Sequence, residues 1–375
     1  MKKTILFLLT FTFCFTQGNI SGYAIFDYEN TIGHDYFDIE RAYLSYSTDI
    51  SDDLFFKIRL DVGRDKDVIQ EIETATGDDI DITMDQKLSA YIKNAYVDWK
   101  CEQGGTMSIG LIGTNSYGTQ EKNWGYRFVD KSVLDKYKMT NTADFGIGYS
   151  RKIKDFNLGI QLLNGEGYKK EENNDQYQQS LYLSLSYGEN KLNINNGYNA
   201  GLVINYNTDG QDNGEYEQDN HYVDQNGANP TARFYDSKLI GFFGGWAKDK
   251  LRIGAEYNQF LMGSIYTFIS GTASNPIHMK RTVEEVTYAV YANYSIAEDK
   301  DVFIRYDIND QNTNNADINI DGIIDRHDLR KDKQFLVGAI YSPTKGFYIS
   351  PNINFKDENQ KRPSNTYRLT FMFKY

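Results

Sequence analysis

Residues 317–328 place oxygen donors at a spacing that suits a hard divalent cation. Asp317, Asn319 and Asp321 occupy positions one, three and five, Gly322 allows a sharp turn, Ile323 offers its carbonyl and Asp328 closes the set at position twelve. The set predicts a structural calcium ion that stiffens its segment, with an acidic solvated loop as the alternative. Asn205, Asn207, Asp209 and Gly210 echo the pattern weakly and read as a turn. A second chemistry lies in cations set on one parity of alternating segments: Lys57, Arg59, Arg252, Arg305 and Arg368, joined by Arg41. A row of such groups on one face attracts anions. Asp61, Glu256 and Asp307 share that parity, so mutual pairing that biases nothing is the alternative. Catalysis lacks its parts. His34, His221, His278 and His327 are the only histidines, all in predicted loops, with no nucleophile motif or metal-ligand spacing around them. No enzyme activity and no transport cofactor are expected.

The elements that must carry these residues have a period of two. In residues 54–62, Leu54, Phe56, Ile58, Leu60 and Val62 share one face, and Lys57, Arg59 and Asp61 the other. The same period recurs at 156–162, 181–187, 251–257 and 302–306. At the C-terminal end Tyr367, Leu369, Phe371, Phe373 and Tyr375 alternate with polar partners. Each run is short enough for a strand and too regular in alternation for a helix.

Composition decides what the apolar faces meet. The chain has 30 Tyr, 22 Phe, 31 Gly and 5 Pro among 375 residues, with a hydrophobic fraction of 40% and a mean hydropathy of −0.60. Beyond the N-terminus no apolar run approaches the roughly 20 residues of a spanning helix, which excludes a helical membrane bundle. A β-barrel hides its membrane signal, because only alternate residues meet lipid. Residues 1–18 read as a secretory signal, with Lys2 and Lys3, an apolar stretch over 5–15 and small residues at Thr16 and Gly18. A lipoprotein cut before Cys14 is the alternative, disfavoured by the bulky Phe13 ahead of it. The formal net charge of −12 becomes −14 once Lys2 and Lys3 are removed, so nucleic acid is not an expected partner. Only Cys101 remains, which excludes stabilisation by disulfides.

Connection lengths alternate. Short polar turns at 51–53, 152–155, 188–191, 247–250, 297–300 and 342–345 separate long polar segments at 63–87, 113–141, 165–179, 207–238, 262–284 and 308–332. The pattern predicts residues 19–375 as one all-β, transmembrane antiparallel up-and-down barrel of about sixteen strands, with long extracellular loops and short periplasmic turns. A charge facing hydrocarbon costs about 2 to 4 kcal/mol at mid-depth, so strand cations are assigned to the lumen. The terminal aromatic residue resembles the insertion signal of outer-membrane barrels, which implies the bacterial outer membrane and its lipid as surroundings. The segment 113–141, which follows the fifth expected strand and is therefore the third extracellular loop, is dense in aromatic and charged residues, with Arg127 and Lys131 as candidate constriction residues.

Three runs carry a family resemblance: Phe-Asp-Ile-Glu-Arg-Ala-Tyr-Leu-Ser-Tyr at 37–46, Ser-Asp-Asp-Leu-Phe-Phe-Lys-Ile-Arg-Leu-Asp at 51–61, and Asn-Trp-Gly-Tyr-Arg-Phe-Val-Asp-Lys at 123–131. They resemble outer-membrane porins related to the phosphate-selective porin group. The resemblance covers the first third of the chain best, and the last strand again. It implies a water-filled diffusion channel for small hydrophilic solutes or ions, often a homotrimer, whose inward Arg and Lys favour anions. Dense lysine clusters that would imply phosphate selectivity are absent from the sequence. The 317–328 motif, separately, resembles the calcium loop of dockerin-like and EF-hand repeats, ending in Asp as dockerins do and lacking a paired second loop. The competing functional reading is a structural or adhesive barrel whose loops bind a surface partner.

Overall fold

Alternating side-chain parity is realised as a closed antiparallel barrel. The computed structural model describes residues 18–31, 34–64, 69–73, 79–83, 88–169, 177–188, 196–208, 231–234, 236–272, 275–314, 329–358 and 362–375. The first eight strands are β1 (Asn19–Thr31), β2 (His34–Asp49), β3 (Leu54–Arg64), β4 (Leu88–Lys100), β5 (Thr106–Gly113), β6 (Ala143–Ile153), β7 (Phe156–Leu163) and β8 (Gln178–Gly188). The second eight are β9 (Asn196–Thr208), β10 (Asp236–Lys248), β11 (Leu251–Thr272), β12 (Asn275–Ala297), β13 (Lys300–Asn314), β14 (Leu329–Thr344), β15 (Phe347–Asp357) and β16 (Ser364–Lys374). Each pairs with its chain neighbours, and β16 returns to β1 with Tyr23 opposite Lys374 through Asn30 opposite Tyr367. The sixteen-strand, up-and-down architecture expected from the alternation is the one observed.

One face of every strand is bare and apolar. Ile304 is 50% exposed, whereas its neighbour Arg305 on the opposite face is 2% exposed. Ile92, Ile109, Ile147, Ile160, Phe242 and Val290 are exposed in the same way around the circumference. Aromatic residues bound this belt: on β12, exposed Tyr294 and Tyr288 lie six residues apart with Val290 between, about 20 Å along a strand. A continuous apolar belt framed by aromatic girdles is a lipid-facing surface of an outer-membrane barrel. Tyr367, Phe373 and Tyr375 are exposed on it while Thr370 is fully buried inside, as the alternation of the last strand requires.

Several segments expected as loops are strand instead. Residues 262–272 and 275–284 belong to one long strand pair, because β11 and β12 run on to Thr272 and Asn275, which pair with each other. The run is rich in β-branched and aromatic residues, whose preference for extended backbone outweighs its polar composition. Thr231–Phe234 pairs with β11, Thr231 opposite Thr267. Within 63–87, Ile69–Glu73 and Asp79–Thr83 form a separate two-stranded hairpin, and β13 and β14 extend into the segment 308–332 from both sides. His34 and His278, expected in loops, lie on β2 and β12. The expected signal segment, up to residue 17, and the 317–328 motif with Asp317, Asn319, Asp321, Ile323 and Asp328 lie outside the described residues.

The outward assignment is testable at one position. Ile304→Lys places an ammonium in the belt and should cost about 2 to 4 kcal/mol in a urea titration of barrel folded into lipid vesicles. An unchanged midpoint would mean that Ile304 does not face hydrocarbon.

Candidate functional site

The connection between β5 and β6 turns into the barrel. It carries two short helices, α1 (Gly118–Trp124) and α2 (Val133–Lys136). Gly125 ends α1 with φ of 79°, a left-handed conformation that glycine adopts without strain. A Cβ there would also push on the Arg252 guanidinium, which would have to shift from its place under the loop.

Trp124 fixes the loop to one wall. Its side chain is fully buried among inward-facing Tyr291, Phe303, Leu336 and Ile340 and the loop's own Tyr126, Phe128 and Val129. Its ring meets Tyr291 and Phe303 edge-on at 5.6 Å, with the Arg305 guanidinium 5.0 Å from its centre. The indole Nε1 donates to the Asp130 carbonyl at 3.0 Å. The Trp124 carbonyl accepts from Asn293 Nδ2 at 3.0 Å and Arg252 Nη2 at 3.2 Å. Amides continue the attachment, with Asn123 and Asn199 exchanging hydrogen bonds at 2.8 and 2.9 Å.

Charged groups lock the second helix to the same side. Lys136 Nζ lies 3.0 Å from Asp307 and 3.2 Å from Asp130, and also donates to Gln334. Arg305 grips Asp307 through two nitrogens at 2.7 and 2.9 Å and donates a third bond to the Lys131 carbonyl at 2.7 Å. Arg368 pairs with Glu29 at 2.5 Å and donates to the Val129 carbonyl at 3.4 Å. Of the predicted lining residues, Arg252, Arg305 and Arg368 therefore sit under the loop and hold it.

The predicted Arg41, Lys57 and Arg59 lie on the wall of β2 and β3, away from these attachments. Tyr43 is their centre. Its phenolic oxygen accepts from Arg41 Nη1 at 2.9 Å and from Lys93 Nζ at 3.0 Å, and its ring has Arg41, Arg59 and Lys93 within 5.7, 5.5 and 5.1 Å. Arg59 donates to Ser45 at 3.0 Å. Asp61 pairs with Arg41 at 3.5 Å and accepts from Tyr168 at 2.9 Å. Facing this wall from the loop, Arg127 bridges Glu121 at 3.0 Å and Asp135 at 2.8 Å, close enough for its charge to couple with Tyr43 and Tyr23. Lys131 is partly buried beside Asp135, and burial pulls its ammonium below the ordinary lysine range.

Lys93 was not found from the sequence. A β-bulge brings it inward: Arg59 pairs with Asn94 while Leu60 pairs with Ile92, leaving Lys93 as the extra residue. The sequence signal is a change of parity, since exposed Ile92 is even-numbered and exposed Trp99 on the same strand is odd. Glu40 is the extra residue of a second bulge, between Ile39 and Arg41 on β2, with the same signature in Phe37 and Leu44, both exposed.

The loop carboxyls set its acid tolerance. Burial acts to raise Asp130 and Asp135, but Lys136, Arg305 and Arg368 around the first, and Arg127 and Lys131 around the second, hold both below the usual carboxylate range. A carboxyl depressed in the folded state contributes stability that is complete above its unfolded pKa and is lost as pH falls through the folded value. The loop should stay docked from neutral pH down to about pH 4 and release only below that. Fluorescence of Trp124, isolated by Trp99→Phe and Trp246→Phe, should hold its blue position over that range. A red shift between neutral pH and about pH 5 would contradict the assignment.

No family profile matches the chain, and no curated protein matches it in sequence. Solved structures match the whole barrel. The outer membrane channel DcaP of Acinetobacter baumannii is 14% identical with a TM-score of 0.59, covering 96% of this chain and 97% of that one. Outer-membrane expressed OmpT of Vibrio cholerae is 11% identical with a TM-score of 0.57, covering 96% and 98%. The anion-selective porin from Comamonas acidovorans is 11% identical with a TM-score of 0.54, covering 96% and 100%. At such identities the likeness is one of fold: the chain has the closed sixteen-strand barrel of outer-membrane porins.

Proposed function

We propose that this chain is a passive outer-membrane porin through which small hydrophilic solutes or ions move down their gradients, with a preference for anions, and that it is not an enzyme. The observation that carries the reading is the one-sided docking of the loop. Away from its seat, partly exposed Arg41 and Arg59 and buried Lys93 gather around buried Tyr43 and outnumber Asp61, the carboxylate paired with Arg41. An anion passing this wall exchanges part of its hydration for fixed positive charge, and a cation is repelled. The acidic net charge of the whole chain does not oppose this, because the field in a narrow passage follows the few charges that line it.

A structural or adhesive barrel is the second reading, favoured by the interlocked ion pairs of Lys136, Asp130, Asp307 and Arg305, which close part of the lumen. Single-channel recording in a planar bilayer with a salt gradient separates the two. Steady ohmic steps with an anion-signed reversal potential are expected, and silence across many insertions would point to the structural barrel. Neutralising Arg41, Arg59 and Lys93 with Gln should lower the anion-to-cation permeability ratio by about tenfold per charge, since roughly 0.7 kcal/mol at about 6 Å in water is lost by the anion and regained by the cation. An unchanged ratio would remove their role.

We also propose that Asp317, Asn319, Asp321, Asp328 and the Ile323 carbonyl hold a calcium ion that stiffens their segment. Calorimetric titration of the refolded barrel with calcium should release or absorb heat that is lost in Asp317→Ala with Asp321→Ala. Identical heats in both proteins would end the claim.

A further inference from the structure

Between the C-terminal stretch of the inward loop and the wall of β8 to β11, a recess of about 140 Å³ remains. Its lining is unlike that of the Tyr43 wall. Asn141, Gln178, Asn205 and Asn207 contribute side-chain amides, and Met139, Leu239 and Phe260 an apolar surface, with exposed Lys138 as the charged lining residue. Two of the amides are engaged: Asn205 donates to Ser116 at 2.9 Å and accepts from Ser180 at 2.8 Å, and Asn141 donates to the Gly165 carbonyl at 2.8 Å. Gln178 and Asn207 make no side-chain hydrogen bond to a described residue, although Gln178 is buried. Gly165 holds the space open. Its φ is +110°, and a Cβ there would stand 3.0 Å from Asn207 Nδ2.

Each free amide offers two donors and one acceptor, a complement to adjacent hydroxyl groups that donate and accept together. A lining of amides and apolar groups, with its one charged residue, Lys138, exposed at the surface, compensates poorly for the hydration of an ion, whereas a polyol keeps its hydrogen bonds and lays its C–H face on Phe260 and Met139. The volume equals that of about five waters, enough for a three-carbon polyol and too little for a whole sugar ring. We propose that this recess is a weak subsite for neutral polyhydroxylated solutes, with affinity on the order of millimolar. The proposal rests on the channel reading only for access to the site.

Saturation-transfer NMR of the purified barrel in micelles, with glycerol as the probe and glucose as the size control, tests it without requiring conduction. Transfer to glycerol is expected, with weaker transfer to glucose. The variant Gln178→Ala with Asn207→Ala should reduce glycerol affinity about tenfold. Ser237→Phe, which fills the recess and keeps both amides, gives a second reading and should abolish transfer, while Arg59→Gln on the opposite wall should leave it unchanged. Absence of transfer from the native barrel, or native-level transfer from both recess variants, would overturn the proposal. A barrel that conducts ions but fails this test loses only the subsite.

Discussion

Inward-facing Tyr291, Phe303, Leu336 and Ile340 form an apolar patch on the inner wall of a barrel whose other lumenal residues are largely polar, and Trp124 covers it. Left to water the patch would be unfavourable. Burying one tryptophan removes about 150 to 250 Å² of surface, which at about 25 cal/mol per Å² is roughly 4 to 6 kcal/mol as an upper bound. That burial is directional because the polar atoms of the same residue are also satisfied: Nε1 by the Asp130 carbonyl, the backbone carbonyl by Asn293 and Arg252. The loop has a single seat, and its attachment to the wall that carries Arg252, Arg305 and Arg368 follows from it.

The buried ion pairs refine that seat more than they create it. Removing Arg305 and Asp307 from water is costly, and their mutual attraction offsets the cost only with additional hydrogen bonds. Those bonds are present, from Arg305 to the Lys131 carbonyl and from Lys136 to Asp307. Such pairs specify registry, since a loop displaced by one residue would leave charges buried and unmatched. Chemically similar arginines thus serve two ends in one molecule. Under the loop they are held by carbonyls and carboxylates, and on the wall of β2 and β3 they gather around a buried tyrosine, with one carboxylate, Asp61, paired to Arg41.

Much of this was legible in the residue order. Strict alternation in 54–62 and in the last strand predicts strands with a lipid face, and the lack of a long apolar run excludes spanning helices, so the barrel and about sixteen strands follow from the residue order. The inward loop was recognisable from its density of aromatic and charged residues. The fate of Arg305 was not, because parity says which way a side chain points and nothing about what lies opposite. A clue existed in the succession Val302, Phe303, Ile304, apolar on both parities, which a strand facing only water inside would not show. Lys93 escaped for a different reason: a bulge changes parity in mid-strand, and an alternation carried through it assigns the following residues to the wrong face. The long β11–β12 strand pair was missed because polarity was read as loop where extended-chain preference prevailed.

The position of Trp124 early in the chain carries a consequence for assembly. The residues that receive it lie on strands from Arg252 to Ile340, and the nearby Val129 carbonyl is held by Arg368 in the last strand, 239 residues further on. Contacts of such separation form only after the intervening chain has been brought together. The inner loop has no seat until the later half of the barrel stands and its seam is closed, so a narrowed lumen is the last feature the chain acquires. An immature barrel would pass through a wider state, and loss of any late strand would register first as an open interior.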